Sequence, residues 1–434
     1  MDIALKSYFG FKSVKLEFGM ERKKYLDELV SLKGNGMIKV VTGIRRCGKS
    51  YLLFNLFSSH LLQSGVGEDH VIKIDLENYK NRSLRKPDLL YAYVEAQLKD
   101  KLTYYLLLDE VQMLESFEEV LNGFLHIEAL DIYVTGSNAK FLSRDVITEF
   151  RGRGFEVRMN PLSFGEFMQE FGGTKQAGLG EYMLYGGLPQ ILSHKTEEAK
   201  VKFLTGLFSE TYIRDIKERY QVRNDSDLEE LIDVLASGIG CLTNPNKLAD
   251  TFRSVKKSKI AYDTVKTYID YLADAFIIER SVRYDVKGKR YIDALYKYYF
   301  NDLGLRNARI GFRQTEKPHL MENLVYNELR MRGFNVDVGV VPVVRRNGNG
   351  NQYRSQLGID FVCNLGSRRY YVQVAYRLDS AEKEEQEAAS LLCVDDSFKK
   401  IIVVGEETPV LRSESGIVTM SIYDFLLQEN SLEL

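Results

Sequence analysis

"VVTGIRRCGKSYLL", residues 40–53, decides the fold. Gly43, Gly48, Lys49 and Ser50 meet the spacing G-x-x-x-x-G-K-[ST]. Each residue type has a physical task. The glycines let the backbone curl so that successive N–H groups face one phosphate, and a helix starting at Lys49 adds the positive end of its dipole. Lys49 brings a mobile charge to the β- and γ-phosphates, and Ser50 offers a hydroxyl to Mg²⁺. Cys47 and Tyr51, within and beside the loop, are assigned to the same nucleotide-binding segment. Such a loop must join a buried strand to a helix. "MIKVVT" before it and "SYLLFNLFSSHLLQ" after it have those patterns.

Moving outward, residues 37–160 alternate short apolar runs with longer amphipathic ones. "HVIKIDL", "YYLLLDE", "LDIYVTG" and "FEVRM" each have the length of a buried strand, and "SFEEVLNGFLHI" reads as a helix between two of them. Strands alternating with helices predict a parallel sheet covered on both faces. From about 165 to 305 helices dominate. In "DTVKTYIDYLADAFII", Val265, Ile269, Leu272 and Phe276 share one helical face, and "ERSVRYDVKGKRYID" reads as a hairpin around a Lys-Gly-Lys turn. Helices followed by a hairpin suggest a winged-helix module. Beyond 318 comes the helix "MENLVYNELRMRG", stopped by Gly333, then strands "FNVDVGVVPVV", "GIDFVCNL", "RYYVQVAYRL" and "KKIIVVGEE", and a last helix "SIYDFLLQE". The polar stretch "RRNGNGNQYRS", 345–355, is expected to be a mobile loop tip.

The expected fold class is therefore α/β: a P-loop parallel sheet with helices on both faces, then a helical and winged-helix module, then a small C-terminal α/β domain. The boundaries are placed at 1–164 for the P-loop domain, 165–240 for a helical lid, 241–310 for the winged-helix-like module and 311–434 for the C-terminal domain. A chain of 434 residues has room for several cores. Lys plus Arg number 59 against 61 for Asp plus Glu, so any nucleic-acid surface must be local. No apolar run approaches the roughly 18 residues a membrane helix needs, so no membrane partner is expected. The start "MDIALKSYFGFKSVKLEFG" has no secretory pattern. Cys47, Cys241, Cys363 and Cys393 lie far apart without a CxxC pair, which excludes a disulfide framework or zinc module. The expected location is cytoplasmic.

Hydrolysis needs an acid beside the metal and a base beside the attacking water. "YYLLLDE" supplies both at a strand end: Asp109 for the metal, with Ser50, and Glu110 as the base. This pair favours an ATPase over a small-molecule kinase. A third strand ends in Thr135-Gly136-Ser137-Asn138, where a polar amide could position water.

Together "TGIRRCGKSYLL", "LLLDEVQ", "VTGSNAKFLSRD", "GRGFEVRMNPLSFGEF", "YGGLPQIL", "ETYIRDI", "KYYFNDLGL" and "ENLVYNELRMRG" resemble the bacterial and archaeal AAA-domain ATPases that carry a C-terminal domain of unknown function. The resemblance covers nearly the whole chain. It implies ATP and Mg²⁺ as cofactors, and the chain lacks a guanine-reading Asn-Lys-x-Asp tetrad. It also implies that Asn138 is the residue that senses the γ-phosphate or water. Arg153 is implied as an arginine finger, with Arg151 as its competitor, and Pro189 of "GGLP" as part of the lid over adenine. A finger acting in trans would require a homo-oligomer.

The C-terminal domain resembles the restriction-endonuclease-like fold. Glu322 and Asp360 stand in two of its acidic positions, but Gln373 replaces the third acid and Ala375 the lysine. With those groups missing, metal binding and charge stabilisation weaken, and an inactive domain is expected. The favoured function is an ATPase that drives or switches an interaction with nucleic acid. DNA is expected to be met through 256–290, where Lys256, Lys257, Lys259, Lys266, Lys287, Lys289 and Arg290 gather among interleaved aspartates. The alternative is an ATP-dependent switch acting on a protein partner.

Overall fold

The computed structural model describes residues 20–136, 150, 152–256, 260–313, 315–346 and 351–434. A five-stranded sheet comes first, from β1 (Ile38–Thr42), β2 (Val71–Asp75), β3 (Tyr104–Asp109), β4 (Leu130–Thr135) and β5 (Gly154–Arg158). Its order is β2-β3-β4-β1-β5, and every pairing is parallel. Alternate residues of the inner strands β1, β3 and β4 serve opposite cores. Ile38 and Val40 join Leu106, Leu108, Ile132 and Val134 on one face, while Val41, Leu107 and Tyr133 pack on the other. Burial on both faces explains why the sequence shows continuous apolar runs rather than alternation. With every pairing parallel, all the strand ends that matter for chemistry open on one edge.

A layer of helices follows, including Lys175–Tyr185, Glu197–Gly206, Arg214–Tyr220 and Asp225–Ser237. Next come Pro245–Lys256 and Tyr262–Asp274, then β6 (Ile278–Asp285) and β7 (Arg290–Phe300), which pair antiparallel. Val265, Ile269 and Leu272 are buried as the periodicity requires; Phe276 is also buried, but it lies past the helix end with φ of 54°. Thr243 bridges Tyr296 antiparallel, so the segment between the helices Asp225–Ser237 and Pro245–Lys256 lies beside β7.

That hairpin is not self-contained. β6 also pairs parallel with β8 (Asn335–Arg346), placing β6 and β7 on the edge of an eight-stranded sheet. The rest of that sheet is β9 (Gln352–Leu365), β10 (Arg368–Ala375), β11 (Lys399–Val404), β12 (Leu411–Arg412) and β13 (Ile417–Ser421), in the order β12-β13-β11-β10-β9-β8-β6-β7. The stretch 345–355, expected to be loop, is largely strand: pairing continues to Arg346↔Gln352. Cross-strand hydrogen bonds there outweigh the polar composition, and residues 347–350 lie outside the described set. One continuous core runs from Val41 through Leu162, Tyr182, Leu231 and Tyr299 to Phe425, so the small sheet, the helices and the large sheet share apolar contacts.

Candidate nucleotide site

The loop after β1 folds around two glycines in the left half of backbone space, Gly43 at φ 135° and Gly48 at φ 105°. A Cβ on Gly43 would overlap the Met159 carbonyl, so only glycine fits. Cys47 is fully buried, with its thiol turned to the Met159 carbonyl at 3.5 Å, so its side chain anchors the loop rather than facing a ligand. The chain is helical from Lys49–Tyr51 to Ser58–Gln63, with a π-helical segment Leu52–Phe57 between. Tyr51 is half-buried in the first turn. The Lys49 ammonium is buried and donates to the carbonyls of Gly43, at 3.0 Å, and Ile44, at 3.2 Å. It is curled back over its own loop, where phosphate oxygens would compete for the same protons.

β3 brings Asp109 and Glu110 to this edge. Asp109 is buried, and burial pushes its carboxyl up to about 6 against hydrogen bonds from Thr135 and Ser50 that favour the charged form. Glu110 and, across the strand register, Asp75 raise it further. A buried carboxylate that resists ionisation, next to the Ser50 hydroxyl, fits a hard divalent cation. Ser50 and Asp109 are the residues that would hold Mg²⁺. The Thr135 hydroxyl at the end of β4 donates to Asp109 Oδ1 and accepts from the Glu110 amide at 3.0 Å. Glu110 itself sits at φ 53°, its carboxylate accepting from Gln112.

The helical layer packs on the same loop. The Tyr212 hydroxyl donates to the Arg45 carbonyl at 2.7 Å, and the Arg45 guanidinium pairs with Asp215 and, at 3.6 Å, with Glu77. Arg46 reaches Gln190 at 3.4 Å. Pro189 is buried at the start of a 3₁₀ turn, Pro189–Ser193. The preceding Gly187 donates to Asp302 at 2.8 Å, and its carbonyl accepts from Leu162 at 2.8 Å. The "YGGLP", "PLSF" and "FNDLGL" segments are thus one hydrogen-bonded unit. No sequence spacing pointed to Arg45, Asp215 or Thr135 as partners; the signal available was only that Asp215 lies inside "ETYIRDI".

One expected residue among those described, Arg153, does not join this cluster. Asn138 lies outside the described residues, as does Arg151. Arg153 is exposed at the start of β5, where its carbonyl accepts from Ile38, the first residue of β1. The register runs from Ile38↔Gly154 to Thr42↔Arg158, so Arg153 is separated from the cradle by the length of β1, roughly 13 Å. At the cradle end Arg158 is committed to Glu279, which Arg330 also holds at 2.9 Å. Burial works against Glu279 ionising, but the two arginines outweigh it and keep its carboxyl below the usual range.

Where the helix Lys317–Met331 meets the large sheet, the expected Glu322 and Asp360 come together with Lys297 of β7 between them, at 2.8 and 3.5 Å. Burial opposes the Lys297 charge, but Glu322 and Asp360 prevail and raise it. Gln373 accepts from the Asp360 amide at 3.3 Å and donates to Glu387 at 2.9 Å, and Ala375 is buried. Among the described residues no group of three or more His, Cys, Asp or Glu side chains could hold a metal, and no helix is long and apolar enough to cross a membrane.

An AAA domain model matches residues 35–168, and a model of a domain of unknown function matches 176–316. An uncharacterized protein of Haemophilus influenzae is 31% identical over 418 residues, covering 94% of this chain and 99% of that protein. An uncharacterized protein of Methanocaldococcus jannaschii is 28% identical over 387 residues, covering 85% and 82%. Among solved structures, the Orc1 protein of Aeropyrum pernix in complex with DNA aligns at TM-score 0.32 and 12% identity, over 67% of this chain and 92% of that one. AMPPCP-bound DnaA from Aquifex aeolicus aligns at 0.27 and 13%, over 58% and 87%. The chain spans nearly all of the Haemophilus protein, and its P-loop, strand-end carboxylates and parallel sheet occupy the segment that the AAA model matches. The chain belongs to one family with that Haemophilus protein, and within it residues 35–168 form a P-loop AAA ATPase domain.

Proposed function

We propose that this chain binds and hydrolyses ATP and uses the cycle to switch its hold on nucleic acid. The observation that carries the first half is the convergence of Lys49, Ser50, Asp109, Thr135 and Glu110 on one edge of the sheet. Lys49 binds phosphate oxygens in place of its own loop's carbonyls. Glu110, its backbone fixed through Thr135, takes a proton from the attacking water. Mg²⁺ held by Ser50 and Asp109 would neutralise charge between the β- and γ-phosphates. The helices and hairpin in winged-helix order over 225–300 support the second half. The C-terminal carboxylates are assigned no cleavage role, because the Lys297 ammonium stands between Glu322 and Asp360.

The test is a pair of variants. Lys49→Ala should lose nucleotide binding and turnover together, since it removes the cation placed on the β/γ-phosphates. Glu110→Gln keeps the shape and removes the base, so it should bind ATP and retain it unhydrolysed. Calorimetric titration and phosphate release measure both. Wild-type affinity and turnover in Lys49→Ala would refute the P-loop assignment, and normal multiple turnover in Glu110→Gln would place the base elsewhere.

A further inference from the structure

We infer that one end of the eight-stranded sheet is the duplex-DNA contact surface, built from two neighbouring hairpins that lie far apart in sequence. This rests on the nucleic-acid reading above and gives it a surface. β6 and β8 run parallel, with Asp285 opposite Val340, so the turn between β6 and β7 lies beside the outer half of β8. That turn carries Lys287, Lys289 and Arg290, all exposed. The outer parts of β8 and β9 carry Arg345, Arg346 and Arg354, also exposed.

Beyond Val340, β8 pairs only with β9, and the ribbon continues through Arg346, roughly 20 Å of strand. Its base is anchored: Val341 is buried, and Val343 and Leu357 pack on the third core. Its outer part exposes 65% of Val344 and 48% of Tyr353. A two-stranded ribbon with both faces in solvent is marginal by itself. Apolar groups left exposed among arginines suit a partner that offers phosphates and, along the major groove, thymine methyl groups.

The charge selects the partner. No Asp or Glu occurs from 338 to 359, in a chain with 61 acids among 434 residues. Among the described residues Arg345, Arg346, Arg354 and Lys289 form no ion pair, whereas Lys287 meets exposed Asp395 only at 3.9 Å and the largely exposed Arg290 meets buried Asp285 at 3.7 Å, both long contacts with an exposed cation. Such pairs are weak and leave the cations available to a polyanion. The major groove, about 12 Å wide, admits a two-stranded ribbon, and lysines on the adjacent turn would then reach the flanking phosphates.

The experiment uses the full chain and a fluorescein-labelled 30-base-pair duplex, followed by anisotropy between 50 and 200 mM KCl. One variant carries Arg345→Ser, Arg346→Ser and Arg354→Ser; a second carries Lys287→Ser and Lys289→Ser; Lys202→Ser, on the exposed face of Glu197–Gly206, is the control. Each phosphate contact contributes about 0.9 to the slope of log affinity against log salt. The arginine variant should bind at least tenfold more weakly at 100 mM KCl, with the slope flattened by about 2 to 3. The lysine variant should flatten it by about 1 to 2. The control, the basal ATP turnover and the thermal midpoints should be unchanged. Wild-type affinity and slope in both hairpin variants would overturn the surface while leaving nucleic acid as the partner. No binding by the wild-type chain at 50 mM KCl would overturn both, and equal binding of polyglutamate would point to an acidic protein instead.

Discussion

At the scale of single residues, Asp109 shows how a catalytic edge is held at a cost to the fold. Burial raises its carboxyl to about 6, above its unfolded value of 3.8. A group with a raised folded value binds its proton more tightly in the fold. Its contribution is complete below about pH 4 and is lost as pH rises through about 6. Asp109→Asn keeps an oxygen for the Thr135 hydroxyl but has no charge to desolvate. The variant should therefore exceed wild type by up to about 3 kcal/mol at pH 7.5, with the gap closing near pH 4. It should also lose turnover, because the metal-holding carboxylate is gone. Urea denaturation at the two pH values measures the difference; equal stability at both would show that the site does not strain Asp109. The motif residues were legible because phosphate chemistry fixes their types and spacing. Arg45 and Asp215 were not, because a hydrogen bond between residues 170 positions apart leaves no local pattern, and Thr135 meets Asp109 only across 26 positions, from the neighbouring strand.

At the scale of elements, all five strands of the P-loop sheet could be read from the sequence: two-sided burial writes β1, β3 and β4 as mostly apolar runs, and the edge strands β2 and β5 keep part of that pattern. The outer ribbon of β8 and β9 could not, because solvated strands paired only with each other need no apolar pattern. β12 and β13 were likewise missed: β12 is two exposed residues, and β13 is a buried apolar run too short to separate from the helix that follows it. The helix Arg214–Tyr220 is tied to the nucleotide loop through the Arg45–Asp215 pair, which is about one-third exposed on each side. Such a pair contributes about 0.2 to 1 kcal/mol. Asp215→Ala frees Arg45 for phosphate and should tighten ATP binding by no more than about fivefold. A fluorescent-nucleotide titration reads this directly. Weaker binding would mean that Asp215 positions the loop rather than competing for its arginine.

At the scale of the whole molecule, the ATPase edge and the basic end of the large sheet are joined through few elements. Arg158 on β5, level with Thr42, pairs with Glu279 on β6, and β6 leads into the turn that carries Lys287 and Lys289. Arg153 lies at the far end of β5, so as a finger it can serve only a second copy. If it does, specific turnover should rise with protein concentration, Arg153→Ala should lose turnover but not affinity, and mixing it with Glu110→Gln should restore part of the rate. A rate independent of concentration and an inert mixture would assign hydrolysis to a single chain. The central claim joins nucleotide to nucleic acid, and it is tested most directly by steady-state ATP turnover with and without duplex DNA across 50 to 200 mM KCl. The account predicts stimulation by DNA that fades steeply as salt rises and is absent in Lys49→Ala. Turnover that ignores DNA at every salt concentration would contradict it and leave a switch acting on a protein partner.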